Sequence, residues 1–146
     1  MFSKSCKYAL RSTLYVATQS LKGIKVGVKD IAENTDIPEH YAGKILQILV
    51  KGNVIQSTKG PQGGFFIETQ NLNKIKLIQI VILFDGSNIF EGCGLGLKYC
   101  DSQLPCLMHD KITVIREALK EMLENNTLHN MIFNKKGDLF EIYFSR

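Results

Sequence analysis

Residues 54–67 leave the backbone few choices. Two short apolar segments, Val54-Ile55-Gln56-Ser57-Thr58 and Phe65-Phe66-Ile67, flank the run Lys59-Gly60-Pro61-Gln62-Gly63-Gly64. Glycine admits positive φ and close backbone approach, and proline fixes a turn, so the segment reads as a strand, a tight hairpin tip and a returning strand. A glycine-rich hairpin alone is usually no more than a turn. What precedes this one narrows its meaning.

A short helix fits Val28 to Asn34, with Ile31 and Ala32 turned inward, and Asn34-Thr35-Asp36 reads as a turn. Pro38 then stands where proline suits a helix best, in its first turn. The helix it opens runs to about Lys51, and Gly52-Asn53 stops it. Tyr41, Ile45, Ile48 and Leu49 recur at helical spacing and are expected to be buried. The opposite face carries His40, Gly43, Lys44, Gln47 and Lys51, polar or small at every position. Two short helices joined by a tight turn, the second with a basic polar face, form the helix-turn-helix pattern. A hairpin directly after such a pair is usually a wing. His40, Tyr41, Lys44 and Gln47 would then approach a major groove, and Lys59 and Gln62 a minor groove or the phosphates beside it.

Charge is distributed to match. Residues 1–60 hold nine Lys/Arg and four Asp/Glu, giving +5, whereas residues 61–146 hold nine and ten, giving −1. The cationic excess lies where phosphate neutralisation requires it. The longest apolar run, Leu77 to Phe84, is interrupted by Gln79 and too short to span a bilayer, so no membrane partner is expected. Met1 to Arg11 lacks the apolar stretch of a signal peptide, which points to a cytoplasmic address where thiols stay reduced.

A first helix is expected from Ser3 to Leu21. Cys6, Leu10, Leu14, Ala17 and Leu21 share one face as a core stripe, with Ser3 as cap and Gly23 as terminator. A fourth helix, about Lys74 to Phe84, is apolar nearly all round and should be buried on more than one side. Asp85-Gly86-Ser87-Asn88 ends it, and residues 88–104 show no periodicity. Pro105 opens a long helix to about Asn125. On it Met108, Ile112, Ile115, Leu119 and Met122 form a short heptad seam suited to pairing with an identical helix. Thr127 can cap a short turn carrying Leu128, Met131 and Ile132. Lys135-Lys136-Gly137-Asp138 is turn-like, and Leu139 to Phe144 is strand-like. The fold expected is mainly α with a small β wing. A winged helix-turn-helix domain (1–86) is followed by a cysteine-bearing loop (87–106), then a dimerisation helix and tail (107–146).

Cys93, Cys100 and Cys106 lie in or beside the aperiodic segment, with His109 three residues after the last. Thiolates are soft ligands for zinc, copper(I) and iron–sulfur clusters. The spacing Cys-x6-Cys-x5-Cys is neither the close pair of a zinc ribbon or dithiol redox site nor a ferredoxin run. Wide spacing on an irregular loop suits ligands that wrap around a group larger than one ion. Cys106, in the first turn of the expected helix, faces the same way as His109 and gains from the positive end of the helix dipole. Cys6 stands apart and reads as a small core hydrophobe. A soft-ligand cluster joined to a DNA reader is the composition of a sensor. A thiol-redox or zinc-site regulator is the alternative. A thiol oxidoreductase unconnected with DNA would need a closely spaced cysteine pair, and the chain is not expected to be an enzyme.

These residues together resemble the Rrf-two family of bacterial winged-helix regulators, in its IscR- and NsrR-like iron–sulfur branch. The likeness rests on Lys7-Tyr8-Ala9-Leu10-Arg11, Asp30-Ile31-Ala32, Ile37-Pro38 through Tyr41, Lys44-Ile45-Leu46, the wing Lys59 to Phe65, and the cysteine trio. It covers residues 1 to about 130. It implies a homodimer on a palindromic operator whose affinity follows the state of a cluster held by Cys93, Cys100 and Cys106. His109 falls at the spacing of the family's histidine ligand, which implies [2Fe–2S] rather than [4Fe–4S]. Lys7 stands where other members place an acidic ligand. The first cysteine gap is one residue longer than the family pattern. Gly43 and Lys44 replace the acidic residue and glutamine of related readers, so the resemblance implies nothing about the target sequence.

Overall fold

The computed structural model describes residues 1–133 and Gly137; the expected turn and strand-like tail after Phe133 lie outside the described residues. Helix α1 (Lys4–Leu21) is the central element, and α2 (Val28–Thr35), α3 (Glu39–Lys51) and α4 (Leu77–Asp85) all pack on it. Its buried line is Cys6, Ala9, Thr13, Val16 and Ala17, all fully enclosed. Leu10, Leu14 and Leu21 of the expected stripe sit at its margin, half-buried against the same core. Small residues on the inner line let three other helices approach the α1 backbone closely. Ser3 caps α1, its hydroxyl accepting from the Cys6 amide at 3.1 Å. Asp85, the last residue of α4, accepts from the Ser3 amide at 2.9 Å and pairs with the Ser3 hydroxyl, which ties the end of α4 to the start of α1.

The α2–α3 turn uses Asp36 in the left-handed region (φ 54°), buried Ile37, and Pro38 at the N-cap of α3. On α3 the buried line is Ala42, Ile45, Leu46 and Leu49. Two positions expected inside are therefore outside: Tyr41 is 42% and Ile48 39% exposed. The inward arc is centred on Ala42 and Leu46, so these larger neighbours fall beyond its edge.

The hairpin follows as β1 (Gln56–Thr58) and β2 (Gly64–Phe66), antiparallel, pairing Gln56 with Phe66, Ser57 with Phe65 and Thr58 with Gly64. Val54 and Ile55, expected as strand, are instead buried anchors before it. The wing root is fixed by Val26, which exchanges backbone hydrogen bonds with Phe65 at 3.1 and 2.7 Å. The glycines serve this geometry. A side chain at Gly63 would run into the Thr58 carbonyl, and Gly64 (φ 141°) lies against the Val26 backbone. The close approach inferred from sequence is thus internal at these two positions; only at Gly60 (φ 100°) is the space open.

Helix α4 buries Leu77, Ile78, Ile80 and Val81 but leaves Ile82 (43%) and Leu83 (37%) exposed, so it is not enclosed on all sides. A 3-10 stretch, Ser87–Phe90, then packs against both α4 and α5 (His109–Asn125). The C-terminal end of α5 is bolted down. Leu123 is buried, and α6 (Leu128–Ile132), capped by Thr127, docks fully enclosed Leu128 and Ile132 onto α1. Backbone bonds from Leu77 to Asn126, Leu128 to Ile75 and His129 to Leu72 complete the joint.

Candidate metal centre and nucleic-acid interface

Between the 3-10 stretch and α5 the chain follows an irregular path shaped by turns. Gly92 and Gly96 take positive φ (80° and 71°), and the Gly96 amide donates to the Cys93 carbonyl at 3.0 Å. Asp101 Oδ1 accepts from the Gln103 and Leu104 amides at 2.8 and 2.9 Å, an arrangement that folds the loop back between Cys100 and Cys106. Those two amides also hold the Asp101 carboxyl below its ordinary value. The result is convergence. Cys93, Cys100 and Cys106 place their sulfur atoms within 4.8 Å of one another, with Cys93 and Cys106 at 3.6 Å. His109 Nδ1 lies 3.4 Å from Cys100 Sγ. Helix α5 starts at His109, so Cys106 sits just ahead of it and not within its first turn; the Cys106 carbonyl instead accepts from the His109 amide at 3.1 Å.

The sulfurs sit in unequal surroundings. The Leu97 amide lowers the Cys93 thiol most; aided by the Leu95 amide at 3.3 Å, it outweighs partial burial and brings the group down to about 7. The Cys106 amide, 3.3 Å from Cys100 Sγ, favours its thiolate, but burial and the adjacent Cys106 and Cys93 thiols prevail and raise it to about 11. Three thiolates this close repel one another unless a cation lies among them. The donor set of soft sulfurs with an adjoining imidazole fits zinc or an iron–sulfur group. Around it Leu95, Leu97, Tyr99, Leu104 and Leu107 are all more than half exposed, and a cleft of about 320 Å³ opens between Leu97, Tyr99, Cys100, Leu104 and Cys106.

The loop is fastened to α5 on both sides of Cys93. Arg116 Nη1 donates to the Gly92 carbonyl, and Gly94 packs so closely on Ile112 that an added Cβ would lie 2.9 Å from Ile112 Cγ1. Of the seam positions, Ile115 (60%), Met122 (47%) and Met108 (40%) are exposed, Ile112 is half-buried under the loop, and Leu119 packs on the core. Val114, also 66% exposed, escapes a reading by sequence pattern because it falls outside the heptad positions.

His40, Tyr41, Lys44 and Gln47 are exposed along α3, and Lys59 and Gln62 are exposed at the wing tip. The His40 and Tyr41 rings meet at a tilt of 41°, with centroids 4.5 Å apart. Lys25 extends the wing surface. Its ammonium lies over the Phe66 ring at 4.7 Å and bonds Thr58 Oγ1 at 3.3 Å. No motif marks Lys25 in the sequence.

A helix-turn-helix followed at once by a two-stranded wing, with its polar recognition face open, defines a winged-helix transcription regulator. The chain belongs to the Rrf2 (Rrf-two) family, described as iron-dependent transcriptional regulators, whose model matches residues 2–134. An HTH-type transcriptional regulator IscR of Pectobacterium atrosepticum is 28% identical over 130 residues, covering 89% of this chain and 77% of that protein. A protein of Aquifex aeolicus named as an HTH-type transcriptional regulator is 28% identical over 144 residues, covering 97% of this chain and 98% of that protein. Among solved structures, CymR, the global cysteine regulator of B. subtilis, superposes with a TM-score of 0.75 at 21% identity, covering 90% of this chain and 95% of that one. The family and these relatives are regulators of transcription, which points away from an enzyme. Among the described residues no helix is long and apolar enough to cross a membrane.

Proposed function

We propose that this protein is a homodimeric, cytoplasmic regulator that binds a palindromic duplex operator with an affinity set by the occupancy or state of an iron–sulfur centre. The observation that carries this reading is the convergence of three sulfurs within 4.8 Å on a loop fastened to α5, in the same chain as an open helix-turn-helix and wing. Cys93, Cys100 and Cys106 would hold the group, and His109 stands beside Cys100 as the fourth ligand, a set that favours [2Fe–2S] over [4Fe–4S]. When bound, such a group supplies chemistry sensitive to redox state, nitric oxide or cluster supply.

The protein's own part is mechanical and electrostatic. Ligation would fix residues 93–106 as one unit on the N-terminal half of α5, through Arg116 and Ile112. Exposed Met108, Ile115 and Met122, with Ile112 and Leu119, form the surface that pairs with a second copy, and the exposed apolar collar around the sulfurs adjoins it. His40, Tyr41, Lys44 and Gln47 enter the major groove, with Lys59 and Gln62 on the flanking minor groove or phosphates. Regulation requires that filled and emptied forms bind the duplex unequally.

A second reading keeps the DNA reader and replaces the cluster by zinc or reversible thiol oxidation. The 3.6 Å separation of Cys93 and Cys106 sulfurs favours it. Purification without oxygen separates the two. Visible charge-transfer absorption with iron and acid-labile sulfide supports the cluster. Colourless protein with stoichiometric zinc, or a disulfide formed on mild oxidation, supports the alternative. If a variant with all three cysteines changed to serine binds duplex DNA as the filled parent does, both switching readings are lost.

A further inference from the structure

The first turns of α1 carry Lys4, Lys7 and Arg11 and no acidic residue. At 3.6 residues per turn these three fall within about 60° of arc, opposite the buried line of Cys6, Ala9 and Thr13. None of them forms an ion pair with another described residue. Such a bare cationic stripe is ordinarily only a solvated face. Here it is held in place. Tyr8 lies on the same side of the helix yet is only 8% exposed. The Lys4 ammonium and the Arg11 guanidinium sit over its ring at 5.7 and 5.1 Å. Tyr8 in turn meets Tyr41 on α3 (centroids 6.1 Å), and Tyr41 makes a tilted ring contact with His40. Arg11 Nη2 also donates to the Asp36 carbonyl in the α2–α3 turn at 3.4 Å. The column Arg11–Tyr8–Tyr41–His40 therefore pins the cationic face of α1 to the first turn of the recognition helix.

We propose that Lys4, Lys7 and Arg11 are a phosphate-binding track, with Tyr8 as its positioning residue, extending the duplex interface from α3 onto α1. The proposal rests on the reading that α3 faces the major groove. That groove is about 12 Å wide and is walled by phosphates, so cations on an element packed beside the entering turn meet the wall and not the base edges. Contacts of this kind are blind to sequence and release counterions.

The probe is a fluorescein-labelled duplex of arbitrary sequence, followed by anisotropy over a salt series. Lys4→Gln and Arg11→Gln each reduce the slope of log affinity against log salt by about 0.9 for every phosphate no longer neutralised, whereas Arg11→Lys retains most of it. Tyr8→Leu, which keeps apolar bulk but frees both cations, weakens binding in the same direction. Lys4 is exposed on its helix, so Lys4→Gln keeps the test alive if Arg11→Gln does not fold. Parental slopes in both glutamine variants overturn the proposal. So does an equal change from Lys120→Gln on the far helix α5, or a shift in sedimentation that shows the stripe to bind a second protein. His40 and Lys44 variants separate the two readings. Weakened binding there, with Lys4 and Arg11 variants at the parental level, removes the track alone. Parental binding by all four variants removes the α3 interface as well.

Discussion

Replacing Gly63 by alanine should disable the wing while leaving the body folded. The added Cβ would collide with the Thr58 carbonyl oxygen and lie 2.7 and 2.9 Å from the carbonyl carbon and oxygen of Lys59, where ordinary contact begins near 3.4 Å. Every one of these atoms is backbone, so no rotamer change relieves the clash. The strand ends must part, which breaks the Thr58–Gly64 pairing and the 2.9 Å bond from the Gly63 amide to the Gly60 carbonyl. One or two hydrogen bonds at about 1 kcal/mol each, with overpacking strain of about 1–3 kcal/mol, place the penalty at roughly 2–5 kcal/mol. The wing root is held separately, by the Val26–Phe65 bonds and by Ser20 Oγ accepting from the Ile67 amide at 2.9 Å. The hairpin can therefore open locally without global unfolding. The expected outcome is loss of amide-exchange protection at Thr58 and Gly64 with the Val26-bonded Phe65 amide still protected, a small fall in melting temperature, and a marked loss of duplex affinity as Lys59 and Gln62 are displaced. Parental exchange protection at the Thr58 and Gly64 amides in the folded variant would refute the steric reasoning.

Gly43→Ala is the opposite case. An added Cβ at this mid-α3 position meets nothing within 4 Å, so thermal denaturation should show a gain of about 0.5–1 kcal/mol. Leu128→Ala empties a fully enclosed site where α6 meets α1, and should cost about 2–5 kcal/mol in urea titrations. Burial, with the nearby Asp85 carboxylate adding to it, pushes the Cys6 thiol from 9.0 up to about 12. Iodoacetamide at neutral pH should therefore label Cys93 first in native metal-free protein, Cys100 far more slowly, and Cys6 only after denaturation, as read by mass spectrometry. The fold favours the neutral Cys6 thiol, so its contribution is intact below pH 9 and is lost as pH rises from about 9 towards 12, which a melting series across that range would detect.

The elements are more legible in the sequence than their rotations. Turn chemistry marks α2, α3 and the hairpin to within a few residues, because Asp36, Pro38, Asn53, Gly63 and Gly64 each satisfy a backbone need that few other residues meet. Helical phase is harder to read. Tyr41-Ile45-Ile48-Leu49 and Ala42-Ile45-Leu46-Leu49 both have helical period and share two members, and side-chain size favours the wrong one. Tyr41 is exposed because the Tyr8 column, and not the core, is its partner. The start of α5 is obscured for a related reason. Pro105 is a good helix opener, yet residues 101–108 are committed to the Asp101 turn and the sulfur cluster, and regular hydrogen bonding begins only at His109. That three cysteines spaced by six and five residues would meet can be supposed from their chemistry. The fastening of their loop to Ile112 and Arg116 cannot, since it depends on glycines at 92 and 94 whose role emerges only in three dimensions.

The packing also constrains how a change at the sulfurs could reach the duplex under the proposed function. The helices α1 to α4 meet through side chains with no exposure at all, among them Ala9, Val16, Ile31, Leu46, Leu49 and Ile80. An interior of that density resists reshaping, so a switch that had to bend α3 would work against several kilocalories of packing. Helix α5 is different. Its C-terminal end is bolted to α4 and α6, but Val114 and Ile115, towards its other end, are largely exposed, and that end meets the body chiefly through the 3-10 stretch. Residues 92–94 are clamped to the same free end. Holding or releasing the sulfurs therefore acts where the molecule is least restrained. Under the proposed function the consequence for DNA would be a change in the separation and tilt of two otherwise rigid winged domains in the dimer, read as half-site spacing, with the recognition surface of each domain unchanged.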